Sequence, residues 1–348
     1  MTNVPTGAAI SLALIEKIAG KKLTKAQAAN ANSVVVALQQ YGERVGLGQP
    51  HRLAQYLAQL LHESGAFVYD REVWGPTAQQ KKYDTGALAK KLGNTPEADG
   101  DGFLFRGRTG IQITGRANTR AFRDWCRKLM SGMVLAAPGS AALPVPDFEK
   151  TPDAMLTDPW EGLGPIWYWD TNGLNRYADQ GDIEMVTKRI NGGLNGYQDR
   201  LDWYARAALV LLGLGPNDVA AFQRRAGEKA DGIAGPRTRA ALHLALVAMA
   251  GATAQSADVQ AAPVVEEREV EKPTVPVAVE EKARRTTGLW QKLTGVFGAG
   301  GIGVSLLSAD WKVVAVVIGG AVVLLVIVTL FGRQIVAGVR DVRAAVEG

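Results

Sequence analysis

The 348-residue sequence predicts a mainly α-helical protein. Between residues 8 and 61, apolar side chains recur at the spacing of amphipathic helices. Residues 158–214 predict further helices, with an interruption at "NGGLNG". The polar, glycine-rich residues 76–105 predict a loop with short helices, and residues 130–157 predict a second long loop. The length leaves room for two domains, or for one domain with accessory segments.

The first helices have recognisable boundaries. Residues 8–46 predict two helices, the second with an N-cap at Thr24 and glycine punctuation at Gly46 and Gly48. A third helix begins near His51. Its predicted apolar face consists of Leu53, Tyr56, Leu57, Leu60 and Leu61.

Glu63 falls on that same apolar face, which is an unusual position for a carboxylate. Burial disfavours the charged form of an acid, and a retained proton suits a general acid. Glu72 follows nine residues later. On one helix the two would lie about 180° and roughly 13 Å apart. Gly65 lets the chain leave the helix, so Glu72 is predicted to face Glu63 across a cleft.

Composition excludes several classes of site. The single cysteine, Cys126, excludes an intrachain disulfide and is predicted to be buried. With only three histidines, we expect no metal site, and no cofactor is indicated. The net charge of +5 is common in proteins without an anionic partner, and no nucleic acid partner is expected. The N-terminus lacks a positive region, so we predict an ordinary helix there and not a signal peptide.

The C-terminal third differs in composition. Residues 251–295, rich in Ala, Val, Pro, Glu and Lys, predict a disordered linker. Residues 313–331 carry no charge, and their nineteen residues would span roughly 28 Å as a helix, close to the thickness of a bilayer core. Residues 296–348 are therefore predicted to form a membrane anchor, with a transmembrane helix at 313–331 and a short tail.

Two orientations of this anchor remain open. Arg333, Arg340 and Arg343 follow the span, and the positive-inside tendency would keep the tail in the cytoplasm and the N-terminal residues outside. The missing signal peptide favours a tail-anchored protein held on the cytoplasmic side.

Three motifs in order resemble glycoside hydrolase family 19, in its bacterial and phage lysozyme-like branch. They are "LAQLLHES", "FRGRTGIQITGRAN" and "VTKRINGGLNGYQDRLDWY", within residues 10–214. The resemblance implies a helical, lysozyme-like domain that hydrolyses β-1,4 links with inversion. Glu63 matches the general acid. Glu72 stands at the position of the base in short phage members, although its loop, "YDREVWGP", departs from the family pattern.

The resemblance also implies roles for five further residues. Thr114 matches a position whose hydroxyl holds the attacking water; a threonine that only bonds its own strand is the alternative. Gln112, Asn118 and Asn191 match substrate contacts, and amides suit sugar hydroxyls because they both donate and accept. Arg200 matches an arginine that orients a carboxylate by ion pairing.

Other residues near these motifs have plainer interpretations. Asn195 replaces one usual partner of that arginine, which weakens the implied network. Arg106 and Arg108 are interpreted as exposed turn residues. Trp167 and Trp169 lie at helical spacing, so we predict that they are buried core residues and not residues that stack on sugar rings.

Residues 215–250 predict a second, smaller unit of two short helices around a turn. The stretch "VAAFQRRAGEKADGIAGPRTRAAL" resembles the helical peptidoglycan-binding module of wall hydrolases, although it is shorter. This resemblance favours bacterial wall over chitin. Its characteristic turn contains Asp231, Gly232, Gly235, Pro236 and Thr238.

The resulting hypothesis is a monomeric phage or prophage endolysin. It would cleave the glycan strands of periplasmic peptidoglycan from the inner membrane, where its C-terminal helix contacts lipid. Two alternatives remain: a chitinase of the same family, and a membrane-tethered wall-binding protein that has lost activity. The altered loop around Glu72 motivates the second alternative.

Overall fold

The computed structural model describes residues 10–136 and 143–250. The predicted linker and the predicted transmembrane helix at 313–331 lie outside these residues. Within the described ranges, no helix combines the length and the apolar character needed to cross a membrane.

The described residues form a mainly helical fold, as predicted. Strand pairing among them is limited to the isolated bridges Arg71–Arg108 and Arg108–Ile113. Two 3₁₀ helices, Gly42–Val45 and Pro152–Leu156, accompany the α-helices. The α-helices are α1 (Leu12–Ala19), α2 (Lys25–Tyr41), α3 (Pro50–Glu63), α4 (Ala78–Lys81), α5 (Gly86–Leu92), α6 (Asp101–Leu104), α7 (Arg116–Ala136), α8 (Trp160–Thr171), α9 (Asn175–Asp179), α10 (Ile183–Asn191), α11 (Tyr197–Leu211), α12 (Val219–Arg225) and α13 (Pro236–Met249).

Helix α7 corrects one predicted boundary. It continues to Ala136, into the region where residues 130–157 were predicted to be loop. The sequence "RKLMSGMVLA" contains good helix formers, and a single glycine, Gly132, does not end the helix. A Cβ atom at Gly132 would meet nothing within 4 Å, so no packing contact explains this glycine.

Local sequence sets the beginning of helix α2. Thr24 Oγ1 accepts the backbone N–H of Gln27, and the Gln27 side chain accepts the backbone N–H of Thr24. This capping box satisfies two N–H groups that the helix itself leaves unpaired. Thr24 is therefore the cap that the sequence predicts.

Helix α3 is the centre of the core. All five residues of its predicted apolar face are buried. It packs mainly against α11 and also contacts α9, α10 and α13. Trp167 and Trp169 are buried core residues, as predicted, and Trp169 lies edge-on to Tyr56 at 5.6 Å. Cys126 is buried too, and burial raises the pKa of its thiol.

Helices α2 and α8 form a second close contact beside this centre. A Cβ atom at Gly162 would lie 2.0 Å from the carbonyl oxygen of Ser33, so only glycine permits this approach. Ser33 Oγ also donates to Glu161 Oε2 at 3.3 Å. Glu161 is only 8% exposed, and burial, with the charges of Asp70 and Asp158, raises the pKa of its carboxyl to about 7.

Residues 215–250 pack onto the helices of the first domain. Helix α13 contacts α3 and α11, and its Leu242 and Leu246 are fully buried. His243 lies edge-on to His51 of α3 at 5.6 Å, and burial lowers the pKa of His243 to about 4. The two helices α12 and α13 thus share the hydrophobic core of the larger domain.

Candidate active site

Glu63 is the last residue of α3 and is held by an ion pair. Its Oε1 accepts from Arg200 Nη2 at 2.5 Å. The Glu63 side chain is 28% exposed, whereas that of Arg200 is fully buried. The prediction that Glu63 is buried among apolar groups is therefore wrong. The helix ends at Glu63, so its side chain lies at the edge of the core, where its partner is a cation.

A buried chain of hydrogen bonds orients Arg200. Its Nη1 donates to Gln59 Oε1. Gln59 Nε2 donates to Thr187 Oγ1 at 3.2 Å, and Thr187 donates in turn to the carbonyl of Ile183 at 2.8 Å. Gln59 was missed from the sequence. It lies four residues before Glu63 on one helix, and that i, i+4 spacing is the signal that places both side chains beside a common partner.

The loop after α10 adds a second contact to the same arginine. Arg200 Nε donates to the backbone carbonyl of Asn195 at 3.4 Å. Asn195 Nδ2 donates to Asn191 Oδ1 at 3.2 Å, and Asn191 Nδ2 donates back to the Asn195 carbonyl at 3.4 Å. The structure therefore places Asn191 close to Arg200 and Glu63. Asn195 contacts Arg200 through its backbone carbonyl, which any residue supplies, and contacts Asn191 through its side chain as well.

A histidine ties this loop to the end of α3. His62 Nδ1 lies 2.6 Å from Asp199 Oδ2, which also accepts from Trp203 Nε1 at 3.1 Å. Gly196 packs directly on the His62 ring: a Cβ atom there would lie 2.1 Å from the ring, and its φ is +67°. Only glycine meets both demands.

Glu72 lies on an irregular segment and is held by other partners. Its Oε2 accepts from the backbone N–H of Gly107 at 3.0 Å, and its own N–H donates to the Gly107 carbonyl at 2.9 Å. Its Oε1 accepts from Gln80 Nε2 at 3.0 Å. Both carboxylate oxygens thus act as acceptors.

Gln80 is a second residue that sequence reasoning missed. It is 6% exposed, and its Oε1 accepts from the backbone N–H groups of Gly75 at 3.2 Å and Thr77 at 2.8 Å. Its Nε2 donates to Glu72 and to the carbonyl of Val73 at 2.8 Å. Because the N–H groups of Gly75 and Thr77 must donate to an oxygen, the amide oxygen of Gln80 faces them and its amide nitrogen faces Glu72. "TAQQ", a capping box at the start of α4, is its sequence signal.

A strained turn, residues 107–114, lies beside both glutamates. Thr109 and Gln112 have φ of +65° and +59°, which are rare for residues other than glycine. Paired backbone hydrogen bonds between Arg108 and Ile113, at 3.2 and 2.7 Å, close the turn. Backbone held in such conformations clusters at functional sites, because surrounding contacts must sustain it.

One side of this turn carries Gln112 and Thr114 next to Glu72. A Cβ atom at Gly107 would lie 2.4 Å from Gln112 Oε1 and 3.2 Å from Thr114 Oγ1. The same Gly107 donates its N–H to Glu72. The structure thus brings these three predicted residues together.

The other side of the turn lies on the end of α3. A Cβ atom at Gly110 would lie 3.0 Å from Leu60 Cδ1 and 3.7 Å from Ser64 Cβ. Ser64 is the neighbour of Glu63. The turn 107–114 therefore contacts both segments that carry a candidate catalytic carboxylate.

Thr114 and Asn118 also make local bonds. Thr114 Oγ1 donates to the carbonyl of Gln112 at 2.9 Å. This is the local backbone bond expected if Thr114 has no role with water. Its oxygen lone pairs can still accept from a water. Asn118, exposed in the first turn of α7, donates to the carbonyl of Thr114 at 2.8 Å.

Two arginines predicted as exposed turn residues are buried. Arg108 is 2% exposed and binds Asp153 at 2.6 Å and the carbonyls of Leu104 and Arg106 at 2.9 Å. Arg106 donates to the carbonyl of Phe103 at 2.8 Å. The interpretation was wrong because these guanidinium groups bind backbone carbonyls of residues 103–106, just before the turn, which the sequence alone does not reveal.

The polar residues of the predicted wall-binding turn are engaged within the unit. Asp231 Oδ1 accepts from Gln223 Nε2 at 2.8 Å and from the N–H of Ile233 at 2.9 Å. Thr238 Oγ1 donates to Glu228 at 2.7 Å. Gly232, whose φ is +75°, donates its N–H to Gln223 at 2.9 Å, while Gly235 and Pro236 lead into α13. These contacts shape the turn.

Across the described ranges, no three His, Cys, Asp or Glu side chains are grouped so as to hold a metal ion.

Comparisons with known proteins extend this description. No family model matches the chain. Chitinase C from Streptomyces griseus HUT6037 aligns with a TM-score of 0.41 and 17% identity, over 62% of this chain and 97% of the chitinase. A bacterial family 19 chitinase aligns with a TM-score of 0.41 and 19% identity, over 60% of this chain and 97% of that one.

A relative in Haemophilus influenzae (strain ATCC 51907 / DSM 11121 / KW20 / Rd) is 34% identical over 190 residues. The match covers 48% of this chain and 84% of the relative, a glycosyl hydrolase family 19 domain-containing protein. Because this identity extends over most of the relative, the chain belongs to glycosyl hydrolase family 19 and is a glycoside hydrolase.

Proposed function

We propose that the chain hydrolyses β-1,4 glycosidic bonds of peptidoglycan as a phage or prophage endolysin. The observation that carries this proposal is the turn 107–114, which contacts the segments of both Glu63 and Glu72. A substrate bound along this turn would have one carboxyl group on either side. Two carboxyl groups that flank a scissile bond are the requirement of glycoside hydrolysis.

In this mechanism Glu63 is the general acid. Its proton passes to the glycosidic oxygen as the bond from that oxygen to the anomeric carbon breaks. Glu63 is then a carboxylate, and the Arg200 guanidinium 2.5 Å away stabilises its new charge. Because Gln59 fixes Arg200, this stabilisation needs no rearrangement when the proton leaves.

Glu72 is the general base. It takes a proton from a water whose oxygen attacks the anomeric carbon from the opposite face, so the product has inverted configuration. Gln112 and Thr114, which adjoin Gly107, would hold this water beside Glu72. An inverting enzyme places its carboxyl groups about 6.5–9.5 Å apart to leave room for that water.

The first experiment tests the reaction and its substrate together. The full-length chain, purified in mild detergent, is added to outer-membrane-stripped Gram-negative cells and, separately, to chitin. We expect clearing of the cells, new sugar reducing ends by mass spectrometry, and the inverted anomer by NMR. Glu63→Gln and Glu72→Gln are each expected to lower the rate by about 10²–10⁴-fold.

Three outcomes would contradict parts of this proposal. Cleavage of chitin with no effect on cell walls would identify a chitinase. Sedimentation with walls by a wild-type protein that cleaves neither substrate would identify a binding protein without activity. Full activity of Glu72→Gln would remove Glu72 as the base and leave Glu63 as the acid.

The place of action is a further part of the proposal. The uncharged run at 313–331 would anchor the enzyme in the inner membrane of a bacterial host, beside the periplasmic wall. Alkaline extraction of membranes tests this: the full chain should stay with the lipid, whereas a chain that ends at residue 295 should be released. Release of both would contradict the anchor.

A further inference from the structure

Exposed apolar side chains concentrate beside Glu72. Nine large hydrophobic residues are exposed within the described residues, and five of them lie in two short segments next to this glutamate. Such a concentration marks a binding surface more often than scattered single residues do. The five are Val68, Tyr69, Val73, Phe103 and Leu104.

Beside these residues, the half-buried Trp74 packs against the exposed Phe103, and we call this pair of rings the aromatic ledge. Their ring centroids are 5.5 Å apart at 68°. The Arg106 guanidinium lies 4.0 Å from the centroid of the Phe103 ring, and Arg106 itself is buried. Phe103 is thereby supported from within the protein while half of its side chain remains in solvent.

The ledge is continuous with the candidate active site. The Trp74 ring lies 6.3 Å from that of Tyr83. Burial of Tyr83, followed by the charge of Glu72 and a hydrogen bond to it, raises the pKa of the Tyr83 hydroxyl. Tyr83 therefore connects the two, with the ledge on one side of its ring and the Glu72 carboxylate at its hydroxyl.

We propose that the aromatic ledge binds a pyranose ring of the same glycan strand, beyond the two sugars whose bond is cleaved. This inference rests on the proposed function. Sugar rings present apolar C–H faces, and exposed aromatic rings supply flat apolar area at little cost in conformational entropy. A polymer that extends from the turn 107–114 past Glu72 reaches the ledge without any rearrangement of the fold.

A lipid surface is a poorer occupant for the same side chains. Inserting the ledge into a bilayer would bring Glu72 and the exposed Lys81 and Lys82 towards hydrocarbon, and burial of such charges is costly. A glycan strand leaves them in water. The position of the ledge next to a carboxylate thus favours a carbohydrate.

The test compares Phe103→Ala with Leu143→Ala, which removes another exposed side chain outside the predicted wall-binding unit at residues 215–250. Both full-length variants are assayed on long peptide-free glycan strands and on a tetrasaccharide from the same strands. For Phe103→Ala we expect KM on long strands to rise about 10-fold, with a smaller change on the tetrasaccharide. Trp74→Phe, which keeps an aromatic ring, should retain most of the affinity.

Several results would overturn the ledge. One is a KM on long strands for Phe103→Ala equal to that of Leu143→Ala. Another is a chain ending at residue 295 that binds vesicles of anionic and zwitterionic phospholipid and loses this binding in Phe103→Ala with hydrolysis unchanged, which would identify a membrane surface. The contribution of the ledge to binding can also be measured without turnover. Here the affinity of Glu63→Gln for long strands is compared with that of the double variant Glu63→Gln, Phe103→Ala. A wild type that binds through Phe103 but cleaves nothing would contradict the proposed function and leave the ledge standing.

Discussion

The two halves of the candidate site are built differently. Glu63 ends a regular helix and is held by a buried arginine, whose guanidinium is itself fixed by side chains from α3 and α10. Glu72 lies on an irregular segment and is held by a backbone N–H and one glutamine. The acid half thus depends on core packing, and the base half depends on a few hydrogen bonds to the carboxylate. Substitutions in the first should cost stability, and substitutions in the second should cost activity.

Arg200→Met gives the largest expected effect. It removes a buried cation and leaves Gln59 and Glu63 without their partner, so the free energy of unfolding should fall by about 3 kcal/mol. Urea denaturation measures this loss. Arg200→Lys keeps the charge but has one nitrogen for two partners, so its free energy of unfolding should lie between those of the wild type and Arg200→Met. A stable Arg200→Met protein would show that the acid half does not depend on this packing.

Gly107→Ala tests the base half. The new methyl group would displace Gln112 and Thr114 while its backbone conformation remains allowed, so kcat should fall about 100-fold with little change in stability. Gly132→Ala, where a methyl group meets nothing, is the matched control. If Gly107→Ala lowers the unfolding midpoint and leaves kcat normal, the base half contributes to stability and not to activity, contrary to the prediction.

Glu161 predicts a pH effect on stability. Burial raises the pKa of its carboxyl to about 7, above the value in the unfolded chain. At pH values between these two pKa values, the folded state therefore binds more protons than the unfolded state. Stability should therefore fall by about 2 kcal/mol from about pH 5 to about pH 7.5. Glu161→Gln should lose this dependence when unfolding is followed at both pH values. A wild-type protein equally stable at both would contradict the assignment.

Gln80→Leu should have the smallest effect. Without its amide, Glu72 keeps the Gly107 N–H but loses one of its two supports, and kcat should fall about 10-fold at nearly constant KM. Steady-state kinetics on long glycan strands, with Gln79→Leu as control, separates the two constants. A rise in KM alone would assign Gln80 to substrate binding instead.

Much of the fold was predictable because it depends on local chemistry. The capping box at Thr24 and the apolar face of α3 involve residues within a few positions of each other. Cys126 and Trp169 are buried as their residue types and spacing indicate. The end of α7 was misplaced because a single glycine weakens a helix by only about 1 kcal/mol.

The environment of the carboxylates was not predictable in the same way. Periodicity places Glu63 on an apolar face, yet in the structure it contacts Arg200, 137 positions away. Burial raises the pKa of the Glu161 carboxyl, and the sequence neighbours of Glu161 give no such signal. Periodicity reports which side of a helix faces inward, and it carries no information on which charged group arrives there from a distant segment.

The sequence by itself determined the helical class, the family and the candidate glutamates, since helix periodicity and short motifs are local properties. Tertiary structure decided how they are used. The pairing of Glu63 with Arg200, the bond from the Gly107 N–H to Glu72 and the pairing of Arg108 with Asp153 each join segments that are distant in sequence. Such segments meet only when the core closes, and their positions are set by the packing of the whole fold.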